Sequence, residues 1–155
     1  MAQHAPTSPT AGTILVVDDD ALVRDMVQTA LTRAGYRVIL ARDGNTAIEL
    51  LDIAAPDLIL TDLFMPHCDG IELLRSGQLS KVDVPVIAMS GGYAGIDMLH
   101  AAKALGAVAA IAKPFMPNEL TDLVRRTLTT PEEPARPTAP AEQPSRMAVA
   151  NTSSR

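Results

Sequence analysis

One cysteine, Cys68, stands in the 155 residues, so no internal disulfide can hold the fold together and a reducing, cytoplasmic setting is expected. Tryptophan is absent and aromatic residues make up only 3%, which leaves Leu, Ile, Val, Ala and Met to build the core in aliphatic layers. No apolar run approaches the roughly 20 residues that a membrane-spanning helix needs. Asp, Pro or Gly interrupts the longer runs, and no basic region leads into a long apolar stretch as in a secretory signal. Membrane insertion is therefore not expected. Cationic residues are outnumbered, 13 Lys and Arg against 18 Asp and Glu, and the net charge of -5 comes with no basic cluster. That balance argues against direct nucleic acid binding. His67 and His100 do not have the spacing of a zinc pair, and Cys68 stands alone in a loop, so these three are expected to be structural or surface residues.

What remains is one core of ordinary size between two irregular ends. Residues 1–12 mix Pro, Thr, Ser and Gly without periodicity, and residues 130–155 carry five prolines and almost no large apolar side chains. Both read as disordered, the second as a linker-like tail. The working unit is residues 13–129.

Within it, two kinds of pattern take turns. Short apolar, β-branched runs at 13–17, 37–40, 57–61, 84–88 and 108–111 have the length of strands. Between and after them, apolar residues recur at helical spacing: Leu22, Met26 and Leu31; Ala47, Ile48 and Leu51; Ile71, Leu74 and Leu79; Met98, Ala102 and Leu105; Leu120, Val124 and Leu128. Asp20 and Asp43 can cap the first two helices, Gly35 and Gly106 can end the first and fourth, and Pro117 can open the fifth. Five strands alternating with five helices predict an α/β fold with a doubly wound parallel sheet.

Such sheets hold their chemistry beyond the carboxyl ends of the strands. There the sequence supplies Asp18, Asp19 and Asp20 after strand one, Asp62 after strand three, Ser90 and Gly91 after strand four, and Lys113 after strand five. Two carboxylates about 4 Å apart repel by roughly 4 kcal/mol at an effective dielectric near 20, so Asp18, Asp19 and Asp62 together call for a cation or a proton. Hard oxygen donors suit Mg²⁺. Asp20 is read as a helix cap and left out of the site.

These blocks together resemble response-regulator receiver domains: Ile14 to Asp20, Asp57 to Pro66 with Asp69-Gly70, Val86 to Gly91, and Lys113-Pro114-Phe115. The resemblance covers nearly all of residues 13–129. It implies a flavodoxin-like sheet of order 2-1-3-4-5, a topology for which the family already serves as a standard example. It also implies Asp62 as phosphoacceptor, Asp19 as a direct Mg²⁺ ligand, Asp18 as a ligand through water, and the backbone carbonyl of Phe64 as a further ligand. Ser90 matches the switch hydroxyl, and Lys113 the lysine that pairs with the acceptor and then with the phosphoryl group, with a cis bond to Pro114. A histidine kinase or histidine phosphotransfer protein would be the donor, the output a separate protein, and the face formed by helix four, strand five and helix five the signalling surface. On this reading the chain is a single-domain regulator rather than an enzyme, with at most slow self-catalysed phosphorylation and dephosphorylation.

Two positions depart from the family pattern. Ala110 stands where an aromatic often swings inward, and Met116 where a polar helix cap is common. The alternative is a small metal-dependent phosphohydrolase of the haloacid-dehalogenase type, which also forms an aspartyl phosphate; it needs an acidic pair after Lys113 that is not there, and it leaves Asp62 without a role. A flavodoxin-like cofactor binder is weaker still, since no glycine-rich phosphate loop follows strand one.

Overall fold

The computed structural model describes residues 11–65, 70–91 and 95–129. The elements run β1 (Thr13–Val17), α1 (Ala21–Arg33), β2 (Arg37–Ala41), α2 (Gly44–Ala54), β3 (Leu58–Asp62), α3 (Gly70–Arg75), α4 (Gln78–Val82), β4 (Val86–Ser90), α5 (Gly95–Ala104), β5 (Ala109–Ala112) and α6 (Pro117–Thr129). All strand pairs are parallel and the sheet order is β2-β1-β3-β4-β5, as the resemblance implies. The irregular ends expected at 1–12 and 130–155 lie outside the described residues except for Ala11 and Gly12. Ala11 N–H donates to the Gly35 carbonyl, and the Gly12 carbonyl accepts from Arg37 N–H.

Side chains alternate across each strand, and the apolar ones split into two clusters, one per face of the sheet. Ile14 and Val16 of β1, Leu58 and Leu60 of β3, and Ile87 and Met89 of β4 pack with Val27 and Leu31 of α1 and Leu120 and Val124 of α6. Leu15, Val17, Ile59, Val86 and Ala88 face the other way, against Leu51 of α2, Leu73 and Leu74 of α3, Leu79 of α4 and Ala102 of α5. The connection after β1 thus lies on one face and the connection after β2 on the other. This reversal makes the tips of β1 and β3 the switch point of the sheet, the usual ligand position in such folds.

The third expected helical region is broken in two. Gly77 has φ +70 and separates α3 from α4. Ser76 assists the break by donating its hydroxyl to the Leu73 carbonyl at 2.7 Å and accepting from Gln78 N–H at 3.3 Å. The expected caps are in place: Asp20 accepts from Leu22 N–H, Asp43 accepts from Thr46 N–H, and Gly35 and Gly106 adopt positive φ after α1 and α5. Met116 does not leave α6 uncapped, because Glu119 reaches back to accept from Met116 N–H at 2.8 Å, half of a capping box.

Candidate functional site

Asp18 follows the last residue of β1 and is fully buried, with each of its polar atoms engaged. Its N–H donates to the Ala41 carbonyl at 3.2 Å, its carbonyl accepts from Arg24 Nη1 at 2.6 Å, its Oδ1 accepts from Asp20 N–H at 2.9 Å, and its Oδ2 accepts from Lys113 Nζ at 2.6 Å. Asp19 is exposed, and its carboxylate has no hydrogen bond or ion pair among the described residues. Asp62 ends β3 and is 6% exposed; its Oδ1 faces the Phe64 N–H at 3.5 Å and its Oδ2 lies 3.4 Å from Lys113 Nζ. One carboxylate oxygen from each of Asp18, Asp19 and Asp62 lies within 4.8 Å of the others.

These acids and the amine lie at one rim, where Lys113 pairs with Asp62 and, more closely, with Asp18. Lys113 Nζ sits closer to Asp18 than to Asp62, by 2.6 against 3.4 Å. Burial pushes the Asp62 carboxyl above its ordinary range; Lys113 opposes this, and the neighbouring Asp18 reinforces it. Ser90, at the end of β4, is fully buried, and its hydroxyl has no hydrogen-bond partner among the described residues. Lys113 N–H donates to the Ser90 carbonyl at 2.7 Å, which ties the lysine backbone to that strand end, and the Lys113–Pro114 bond is cis as expected. Phe64 lies just beyond Asp62, with its ring half exposed.

The donor set fits a hard divalent cation. Three carboxylates converge, one open to solvent, and no histidine or cysteine joins them among the described residues. Both Asp18 oxygens accept close hydrogen bonds, at 2.9 and 2.6 Å, whereas Asp62 is held more loosely, at 3.5 Å from Phe64 N–H and 3.4 Å from Lys113 Nζ, and Asp19 has no such contact among the described residues. Asp20 caps α1, as the sequence indicates. His100 is exposed, while His67 and Cys68 lie outside the described residues.

Three contributors went unread in the sequence. Arg24 grips the Asp18 carbonyl from α1. The buried Thr61 hydroxyl donates to the Asp62 carbonyl at 3.1 Å. Gly70 opens α3 so close to β3 that a Cβ there would lie 2.1 Å from the Asp62 carbonyl oxygen. In the sequence Gly70 stands out only as part of a motif; its reason is spatial.

Comparisons with known proteins agree with this geometry. Residues 14–125 match the sequence profile of the response regulator receiver domain. Sporulation initiation phosphotransferase F of Bacillus subtilis is 35% identical over 115 residues, 74% of this chain and 92% of that protein. Regulatory protein AtoC of Escherichia coli is 37% identical over 115 residues, again 74% of this chain but only 25% of that longer protein. Among solved structures, the receiver domain of NtrX from Brucella abortus superposes with a TM-score of 0.70 at 32% identity, covering 76% of this chain and 98% of that one. A putative response regulator from Chloroflexus aurantiacus gives 0.71 at 32% identity, covering 77% and 98%.

Proposed function

Since the chain belongs to the response regulator receiver family of two-component signalling, we propose that residues 13–129 form a switch that takes a phosphoryl group onto Asp62. The observation that carries this reading is the convergence of Asp18, Asp19 and Asp62 within 4.8 Å, with Lys113 between two of them. A histidine kinase or histidine phosphotransfer protein in the cytoplasm is the donor. An Asp62 carboxylate oxygen attacks phosphorus, the phosphorus–nitrogen bond to the donor imidazole breaks, and the electron pair leaves with that imidazole, yielding an acyl phosphate on Asp62. Asp19, Asp62 and the Phe64 carbonyl would hold Mg²⁺ directly and Asp18 through water; when bound, the ion neutralises charge on the transferred phosphoryl oxygens.

Lys113 supplies the second neutralising charge. Its ammonium, now on Asp18, lies near enough to Asp62 to pass to a phosphoryl oxygen. The Ser90 hydroxyl, buried and without a partner among the described residues, is the natural donor to another of those oxygens once the loop after β4 moves inward. That movement biases the packing of α5, β5 and α6, the surface we assign to the downstream protein partner. Turnover of free substrate is not part of this reading.

Asp62→Asn is expected to abolish Mg²⁺-dependent labelling by acetyl phosphate or a cognate kinase, while the parent protein gives the acid-labile signal of an acyl phosphate. Full labelling of the variant would overturn the assignment.

A further inference from the structure

The exposed Asp19 carboxylate has no side-chain or backbone partner among the described residues, so its position is set by the backbone leading into it. That backbone is the peptide unit whose carbonyl belongs to Asp18, and the group gripping this carbonyl is the Arg24 guanidinium at 2.6 Å. The Arg24 backbone is held in the first turns of α1, where its N–H donates to the Asp20 carbonyl at 3.0 Å. The helix that Asp20 caps thus sends a cationic side chain back onto the turn preceding the cap. A charge-assisted bond of this length is stronger and more directional than a neutral one.

Resting on the metal-binding reading of the acidic cluster, we propose that Arg24 is a positioning residue for the cation. By holding the Asp18–Asp19 peptide plane it keeps the Asp19 carboxylate aimed at the same point as Asp62. Without it, the turn carries Asp19 through a wider range of orientations and coordination loses pre-organisation. Partners of this kind, one shell removed from the ion, typically change metal affinity by about 10–100-fold when removed.

The test is Mg²⁺ affinity by calorimetry of the full chain for the parent, Arg24→Gln, Arg24→Met, Arg24→Lys and Asp19→Asn. Gln and Met are too short or too apolar to reach the carbonyl with a charged donor, and affinity is expected to fall about tenfold. Lys keeps charge and donor and is expected to recover most of the loss. In labelling by acetyl phosphate, Arg24→Gln should raise the half-saturating Mg²⁺ concentration and keep the rate at saturating Mg²⁺, whereas simple loss of folded protein lowers the rate and leaves half-saturation unchanged. Parent-like affinity in Arg24→Gln or Arg24→Met overturns the inference, and so does a failure of Lys to rescue. If the parent itself takes up no Mg²⁺, or Asp19→Asn binds as tightly as the parent, the reading of the cluster fails instead.

Discussion

Asp62→Asn should make the Mg²⁺-free protein more stable at neutral pH, although it removes a carboxylate that lies against a lysine. The Coulomb energies around Asp62 nearly cancel. Lys113 at 3.4 Å attracts it by about 5 kcal/mol at an effective dielectric near 20. Asp18, no more than 4.8 Å away and fully buried, repels it by at least about 3.5 kcal/mol on the same scale. Asp19 is open to water, so its repulsion is discounted to about 1 kcal/mol. What is left is the cost of burying the charge, several kcal/mol for an ion, less about 1–3 kcal/mol for burying an amide in its place. The lysine is not orphaned by the change, because its shorter contact is to Asp18. The expected gain is on the order of 1–3 kcal/mol, a rise in Tm of about 3–10 °C for a domain of this size.

The pH dependence follows from the raised pKa of Asp62. A carboxyl whose folded pKa lies above its unfolded value, ordinarily about 3.9, makes the folded state hold the extra proton between the two. Stability of the parent therefore declines as pH rises through that window and stays lowered above it. The advantage of Asp62→Asn should be absent below the unfolded pKa, grow with pH, and level off beyond the folded pKa. Thermal unfolding in chelator across pH 3.5–8, followed by circular dichroism, reads this directly. A variant less stable than the parent at neutral pH, or a gap that does not change with pH, would show that the Lys113 attraction outweighs the burial cost.

Other substitutions probe the scaffold. Gly70→Ala would push a Cβ to 2.1 Å from one backbone atom of Asp62 and 2.9 Å from another, so we expect a loss of about 3 kcal/mol or more, read as a lower urea midpoint. Ala55→Gly relieves a left-handed residue at φ 42 after α2. That strain is about 1–2 kcal/mol, partly offset by the added freedom of the unfolded chain, and a net gain of about 0.5 kcal/mol is expected by the same measurement.

Much of this architecture is legible in the residue order, because a doubly wound sheet writes two periods into its sequence and places acids, hydroxyl and amine at strand ends. The apolar alternation of Ile14 to Val17 sorts without exception onto the two faces. Boundaries were less readable. Strand four is expected from Val84 but begins at Val86, since Pro85 has no N–H for the ladder and contributes only its carbonyl, to Ile59. The break at Gly77 is hidden by Ile71, Leu74 and Leu79, which keep an apolar pattern across it. Arg24 is not legible in the sequence because helical periodicity tracks apolar residues, and its partner is a carbonyl, a group that every position carries. The nearer pairing of Lys113 with Asp18, at 2.6 against 3.4 Å, depends on less than an ångström at the rim, a scale to which strand patterns are blind.

Lys113 belongs to the margin of the sheet, yet its ammonium ends between acids carried by the two innermost strands. The same residue is moored through its own amide to the tip of β4. One residue, through side chain and backbone together, thus laces four of the five strand tips, and any newcomer that draws the ammonium off Asp18 also plucks at the outermost strand. The border of the domain, where another molecule can reach it, is mechanically in series with its most sheltered charge.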